Sequence, residues 1–220
     1  MALILNIDTA VDGASLCVAK NATVLATAKN EVPNTHATWI NDAIKAVIAS
    51  ADHSLTDLDA IAVSNGPGSY TGLRIGLSTA KGLCFALDKP LICLNTLTIM
   101  AQMVKKDAPD LICPVIDARR MEIYTAIYDK DLTIIMPPQA MIVDENSFAA
   151  ELDARKILFT GNAVTKLKQV IKHSNAIFNN AVYDAAAMPA LSFNRYHQQA
   201  FDDLSYIEPF YIKPVYFNKI

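Results

Sequence analysis

Five of the seven glycines of this 220-residue chain lie between Gly66 and Gly82. Three of them, Gly72, Gly76 and Gly82, fall in a run that otherwise has the apolar spacing of a helix. A glycine inside a helix costs about 1 kcal/mol relative to alanine. Such a glycine is usually retained where another backbone or a ligand must come close. The sequence therefore predicts a helix that something else approaches closely.

The predicted elements occur in the same order twice. Three short strands joined by tight turns are predicted over 3–29, and a helix, a strand, a second helix and a further strand follow. The same order is predicted again over 111–201, although the residues of the two halves are not visibly alike. This pattern resembles the fold of actin, hexokinase and Hsp70. We predict an α/β protein of two actin-like (ribonuclease H-like) subdomains, 1–106 and 107–220, each a mixed sheet with a three-strand meander and flanking helices.

The segment from Gly66 to Gly76 has two interpretations, of which the first is anion binding. It lies between a predicted strand and a predicted helix, where backbone N–H groups can meet an anion. It lacks the lysine of a G-x-x-x-x-G-K-[S/T] loop and the third glycine of G-x-G-x-x-G. In actin-like proteins nucleotide binds between the halves, and the first strand ends in an acidic residue. The candidate nucleotide or anion contacts are Asp8, Thr9, Gly68, Ser69 and Arg119; for Asp8, Thr9 and Arg119 the alternative is an ordinary turn.

The second interpretation is helix packing. Gly72, Gly76 and Ala80 are spaced by four residues and form one smooth helical face. A second helix can pack closely against such a face. The helix predicted over 36–51 has a main apolar stripe and a second apolar line through Trp39. A helix with two apolar faces is either deeply buried or contacts both its own sheet and another chain.

Composition narrows the class of protein. The net charge of −3 and the scattered basic residues argue against stand-alone binding of nucleic acid. An apolar content of 52% with only 19% charged residues favours a partner-binding protein, the alternative being an alanine-rich core. No eighteen-residue apolar run and no basic leader occur, so we expect a cytoplasmic protein without a membrane span. Four widely separated cysteines are expected to be buried thiols.

Catalytic motifs are not found. The four histidines stand too far apart for H-E-x-x-H or H-x-x-x-H, so we predict no metal site. Ser69 lies in G-P-G-S-Y rather than G-x-S-x-G, which disfavours a peptidase. We expect no catalytic residue. The main alternative is a small-molecule kinase or nucleotide hydrolase that uses Asp8 as its acidic group, and a peptidase is the third option.

Four segments carry a family signature. They are the run from Gly66 to Gly76 with Lys81-Gly82 after it, the opening Ile4-Leu5-Asn6-Ile7-Asp8-Thr9, the strand Asp57-Leu58-Asp59-Ala60-Ile61-Ala62-Val63, and Ile116-Asp117-Ala118-Arg119-Arg120. Together they resemble the TsaB (YeaZ-type) family over the first 130 residues. The resemblance implies a non-catalytic subunit required for the N6-threonylcarbamoyladenosine modification of tRNA, related to the transferase subunit TsaD. TsaD has an H-x-x-x-H metal site; here His36 and Ile40 take those places, so one ligand is missing.

The resemblance also implies partners. The chain would bind a TsaD-type subunit through the helices of its first subdomain and form a homodimer through the same face. A TsaE-type ATPase would bind the pair, and tRNA would be reached only through the complex. The chain alone would hold no cofactor, with ATP or ADP at the complex interface. The residues assigned to partner binding are His36, Trp39, Ile40, Ala43, Gly72, Arg74, Ile75, Gly76, Thr79 and Ala80.

Overall fold

The computed structural model of this chain describes residues 1–11, 13–32, 35–181 and 183–213. The strands within these residues are β1 (Leu3–Asp8), β2 (Ala14–Lys20), β3 (Thr23–Asn30), β4 (Ala60–Ser64), β5 (Leu91–Leu94), β6 (Leu111–Asp117), β7 (Glu122–Asp129), β8 (Ile134–Ile142), β9 (Ile157–Thr160) and β10 (Ala176–Asn179). The α-helices are α1 (His36–Ser50), α2 (Tyr70–Leu87), α3 (Thr96–Val104), α4 (Ala149–Ala154), α5 (Val164–Val170) and α6 (Pro189–His197).

The chain divides into two compact units. The first comprises Met1–Met103 and Tyr183–Pro209, and the second comprises Val104–Val182 and Phe210–Ile220. The sheet of the first unit has the order β3-β2-β1-β4-β5, and that of the second has the order β8-β7-β6-β9-β10. In both, three antiparallel strands are followed by two strands parallel to the first. The two units share one topology, which confirms the predicted duplicated α/β fold.

β1 lies in the middle of its sheet, and it is buried on both faces because a hydrophobic core packs against each of them. Leu5 and Ile7 belong to a core formed with α1 and α2, whereas Ile4 belongs to a second core that includes residues of α3 and the segment before α6. Successive residues of a strand point to opposite faces, so a strand covered on both sides is apolar along its length. This burial holds the carboxyl end of β1, with Asp8 and the following Thr9, firmly in the first unit.

The assignment of residues 107–220 to one subdomain is corrected by the structure. The segment Tyr183–Pro209 belongs to the first unit, where it covers the second face of the β1 sheet. The N–H of Ala185 donates to Ser15 Oγ (2.8 Å), and the N–H of Cys93 in β5 donates to Asp202 Oδ2 (2.7 Å). An apolar sheet face exposed to water is unfavourable. The segment that follows the second unit in sequence packs on this face and buries it.

β8 contains two consecutive prolines, Pro137 and Pro138, in its interior. Proline cannot donate a backbone hydrogen bond, which confines it to edge strands and bulges. β8 is the edge strand of its sheet. The two prolines fall at the irregularity between the pairs Thr125–Gln139 and Ile127–Met136. Both conditions that allow proline in a strand are therefore met.

Candidate functional site

The glycine-rich face of α2 lies against the end of β1 in the same unit. A Cβ added to Gly72 would lie closer than 3.0 Å to the carbonyl oxygen of Thr9, and one added to Gly76 would meet Thr9 Oγ1 as closely. A Cβ on Gly68 would collide with the carbonyl oxygen of Ala10 in the same way. Real Cβ atoms essentially never come so close. The close approach that the glycines predict is therefore made by Thr9 and Ala10 of the same chain.

Hydrogen bonds hold this contact in place. The hydroxyl of Thr9 donates to the carbonyl of Gly72 (2.7 Å), and the N–H of Ser69 donates to the carbonyl of Ala10 (2.7 Å). The N–H of Thr9 donates to Ser64 Oγ at the end of β4 (3.4 Å). The start of α2 and the ends of two strands thus form one buried, bonded junction.

Five of the ten residues assigned to partner binding lie in this interior. Ile40 and Ala43 of α1 are only 1% and 8% exposed and pack in the first core. Gly72, Gly76 and Ala80 are buried as well. The smooth face was expected to meet a second chain, but the end of β1 already occupies it. The assignment of these five residues to a partner surface is corrected accordingly.

The other five assigned residues remain at least partly at the surface. They are His36, Trp39, Arg74, Ile75 and Thr79. Arg74 is exposed, and its guanidinium donates to the hydroxyl of Tyr70 (2.5 Å) and lies 4.9 Å from that ring's centroid. Trp39 packs its inner part against the first core. These five stay candidate partner contacts.

α2 also has an outer face, of which the sequence analysis assigned only Arg74. We call Arg74, Ser78, Gly82 and Phe85 the outer face of α2, because all four are exposed and follow helical spacing. Phe85 is 82% exposed. A Cβ added to Gly82 would have no other atom of the chain within 4 Å. Gly82 thus differs from Gly72 and Gly76, because nothing within the described structure requires a glycine there.

Asp8 is buried at the carboxyl end of β1. Its Oδ1 accepts hydrogen bonds from the N–H of Ala10 (3.2 Å) and from the hydroxyl of Tyr183 (3.2 Å). Burial raises the pKa of this carboxyl above its ordinary value, and hydrogen bonds from Ser64, Ala10 and Tyr183 lower it in part. Asp8, the acidic group that a kinase or nucleotide hydrolase would require, is therefore hydrogen-bonded to residues of its own unit.

Three amide groups around the start of α2 have acceptors within the chain. The N–H of Ser69 is bonded to Ala10, while the N–H groups of Gly72 and Leu73 donate to the side-chain and backbone oxygens of Ser69 (3.2 and 2.8 Å). A phosphate loop needs such amides free to face its ligand. The N–H of Ser69 is therefore not free to contact a nucleotide phosphate. The Ser69 hydroxyl, the candidate nucleophile of a peptidase, serves as the helix cap.

Metal-binding and thiol chemistry find no support in the described part of the chain. It holds no group of three or more His, Cys, Asp and Glu side chains placed to bind a metal ion. All four cysteines are free and buried, as predicted. Burial raises the pKa of each thiol to about 12. Thiols with so high a pKa are almost fully protonated near neutral pH and are poor nucleophiles.

The candidate anion contacts do not all come together in one unit. Asp8, Thr9, Gly68 and Ser69 lie around the junction of β1 and α2 in the first unit. Arg119 is an exposed residue of the second unit, in the hairpin between β6 and β7.

None of the helices in the described ranges has the length and apolarity that a membrane crossing requires.

Comparison with known proteins identifies the family. The model of the TsaD family, described as tRNA N6-adenosine threonylcarbamoyltransferase, matches residues 27–199. The tRNA threonylcarbamoyladenosine biosynthesis protein TsaB of Bacillus subtilis (strain 168) is 33% identical over 173 residues, which cover 77% of this chain and 75% of that protein. The chain belongs to the TsaB family.

Two further relatives agree with the TsaB resemblance seen in the motifs. The TsaB of Escherichia coli (strain K12) is 38% identical over 130 residues, 58% of this chain and 55% of that protein. The solved structure of YeaZ from Pseudomonas aeruginosa has a TM-score of 0.84 at 22% identity and covers 96% of this chain and 100% of that chain. At that identity the YeaZ match shows the shared fold, and the TsaB sequences carry the family assignment.

Proposed function

We propose that this chain is a non-catalytic subunit required for the N6-threonylcarbamoyladenosine modification of tRNA, and that it binds and supports a TsaD-type transferase subunit. Its membership of the TsaB family supports the pathway. The match to the TsaD model supports a partner of related fold. The non-catalytic role is supported by Ile40, a core residue that stands where the resemblance places a second metal-binding histidine.

The outer face of α2 is the observation that carries the partner-binding role. Phe85 is a large apolar side chain left 82% exposed, and burying such a side chain is worth about 1.5 to 3 kcal/mol. Gly82 has open space above it, although a glycine there costs the helix about 1 kcal/mol. A partner element that packs over Gly82 and covers Phe85 accounts for both features.

The same face is proposed to serve self-association, so that a second copy of the chain and the TsaD-type subunit compete for it. A TsaE-type ATPase is proposed to bind the assembled pair, and tRNA to be bound through the complex. ATP or ADP is proposed to lie at the complex interface and not in this chain alone, since the amides at the start of α2 are already bonded. The proposed compartment is the cytoplasm.

The role in modification is tested by reconstitution. Unmodified tRNA is incubated with the TsaD-type and TsaE-type subunits and the threonylcarbamoyl donor, with this chain added or omitted. The expected result is that modified adenosine forms at an appreciable rate only when the chain is present. An equal rate without it would refute the proposed function.

The binding face is tested separately with two variants. Gly82→Leu fills the space above the helix, and Phe85→Ser removes the apolar contact; both are expected to weaken association with the TsaD-type subunit about tenfold or more. Ala190→Leu, at an exposed position of α6 in the same unit, is the matched control and should bind normally. The association constant of each variant with the TsaD-type subunit is measured by analytical ultracentrifugation. Unchanged constants for both variants would show that the TsaD-type subunit does not bind the outer face of α2.

A further inference from the structure

The hairpin between β6 and β7 carries two arginines in an unusual backbone conformation. Arg119 and Arg120 have φ angles of 70° and 48°, in the left-handed region that residues with a Cβ rarely adopt. Both side chains are exposed. The turn is closed by a hydrogen bond from the N–H of Glu122 to the carbonyl of Arg119 (3.0 Å). The local fold therefore holds two adjacent cationic side chains at a projecting tip.

The acidic side chains beside this tip are already paired with lysines. Asp117 Oδ1 accepts from Lys166 Nζ (2.6 Å) and from the backbone N–H of Arg119 (2.6 Å). Glu122 is ion-paired with Lys213. Within the part of the chain that the structure describes, neither arginine guanidinium has a hydrogen bond or an ion pair. The two carboxylates and two lysines cancel in charge, which leaves the positive charges of Arg119 and Arg120 uncompensated.

Arg119 and Arg120 account for the whole net charge of the second unit, which is formally neutral without them. Its sequence contains 12 Lys and Arg residues against 10 Asp and Glu, a formal charge of +2, whereas the first unit has 7 against 12, a charge of −5. The chain's overall charge of −3 therefore combines an acidic first unit with a second unit that is positive only through Arg119 and Arg120. A polyanion would be attracted to these two arginines although the chain as a whole is acidic.

We propose that the Arg119–Arg120 tip contacts the phosphodiester backbone of the tRNA that the complex modifies. This inference rests on the proposed function, which makes tRNA the substrate of the complex. A guanidinium donates two parallel hydrogen bonds to a phosphate, and two of them side by side match consecutive phosphates of a strand. Contacts of this kind position a nucleic acid without reading its sequence. The exposed pair of guanidiniums would attract a strong anion, and the proposed function supplies RNA as the polyanion that the complex must hold.

The test uses the reconstituted complex with an unmodified tRNA transcript. In the variant Arg119→Gln/Arg120→Gln, the KM for tRNA is expected to rise about tenfold while kcat stays unchanged. The slope of log affinity against log salt concentration should become shallower by about 1 to 2, the share of two phosphate contacts. The charge-conserving Arg119→Lys/Arg120→Lys should retain most of the affinity and the slope.

Arg155→Gln is the matched control, since Arg155 is an exposed arginine of the same unit that lies outside the hairpin. It should leave both the KM and the salt slope nearly unchanged. Wild-type values in the double glutamine variant would refute the tip contact, and so would loss of its association with the TsaD-type subunit, which would make the tip a protein contact. If modification proceeds without the chain, the proposed function itself fails; if the chain is required but its tip is dispensable, only this inference fails.

Discussion

The hydroxyl of Thr9 donates a 2.7 Å hydrogen bond to the carbonyl of Gly72, and this bond joins the end of β1 to the first turn of α2. Thr9 is completely buried, and its Oγ1 lies where a Cβ on Gly76 would have to be placed. Two of the glycines of the family signature are therefore explained by one threonine. The signature therefore describes an internal junction of the first unit, whereas the proposed partner surface uses other residues of the same helix.

Gly72→Ala tests this junction. The new Cβ would meet the carbonyl oxygen of Thr9, a backbone atom that cannot rotate away, so the free energy of unfolding should fall by about 2 to 3 kcal/mol. Gly76→Ala should cost less, because the Thr9 side chain can turn aside at the expense of its hydrogen bond, worth about 1 kcal/mol. Urea unfolding measures both. A stability within error of wild type for Gly72→Ala would show that the helix does not approach β1 this closely.

Gly82→Ala should have the opposite effect on stability. The added Cβ meets nothing within 4 Å, and alanine favours the helix by about 0.5 to 1 kcal/mol. The melting temperature of the isolated chain should rise. If the outer face of α2 binds a partner closely, the same substitution should weaken the complex while it stabilises the subunit. A loss of stability in the isolated chain would contradict the open space seen above Gly82.

The sequence predicts that something approaches α2 but not what approaches it. The spacing of Gly72, Gly76 and Ala80 is a local property, and it was enough to predict the helix over 71–87, close to the observed Tyr70–Leu87. That face packs against the end of β1, more than sixty residues earlier in the chain. The spacing of apolar and small residues within one helix contains no information about a contact with so distant a segment. A small-residue face looks the same whether it meets its own sheet or a second chain.

The pH dependence of stability tests the environment of Asp8. Its pKa is raised in the folded state, chiefly by burial, so the folded chain binds more protons than the unfolded chain above the ordinary carboxyl pKa of 3.8. This group's contribution to stability therefore decreases as the pH rises from about 3.8 to the higher folded value, and is constant beyond it. Asp8→Asn keeps the shape and the acceptor oxygen for Ala10 and Tyr183 but cannot ionise.

We therefore expect Asp8→Asn to be more stable than wild type at neutral pH and to lose that advantage as the pH falls toward 3.8. The free energy of unfolding of both proteins, measured by urea titration from pH 4 to pH 8, gives the difference at each pH. A difference that does not change with pH would show that Asp8 titrates alike in the folded and unfolded chains. Lower stability of the variant at neutral pH, with a deficit that shrinks as the pH falls, would mean that hydrogen bonds to the ionised carboxylate outweigh its burial.

The domain boundary shows a second limit of the sequence. The break near residue 106 was found within a few residues, because the meander pattern restarts there. The return of Tyr183–Pro209 to the first unit was not found, since α6 has an ordinary amphipathic pattern that fits either sheet. What decides its place is the second apolar face of the β1 sheet, which includes Ile4 and Ile92 and would otherwise be incompletely covered.

Asp202→Ala tests how firmly that returning segment is held. Asp202 Oδ2 accepts from the N–H of Cys93 (2.7 Å) and lies 3.3 Å from the guanidinium of Arg195, whose other amino group donates to the carbonyl of Cys93 (2.7 Å). Removing the carboxylate leaves the edge of β5 with an unpaired amide and a partly buried arginine without its counter-charge. The loss in the free energy of unfolding should be about 2 kcal/mol.

The control is Asp42→Ala at an exposed position of α1, which should change stability by less than about 0.5 kcal/mol. Hydrogen exchange gives the sharper measurement, because Asp202→Ala should speed exchange in β5 and α6 together while the strands of the second unit keep their protection. Faster exchange confined to the second unit would mean that the segment is held there instead. A variant as stable as wild type would show that apolar packing alone, without the bonds to β5, holds the returning segment on the first unit.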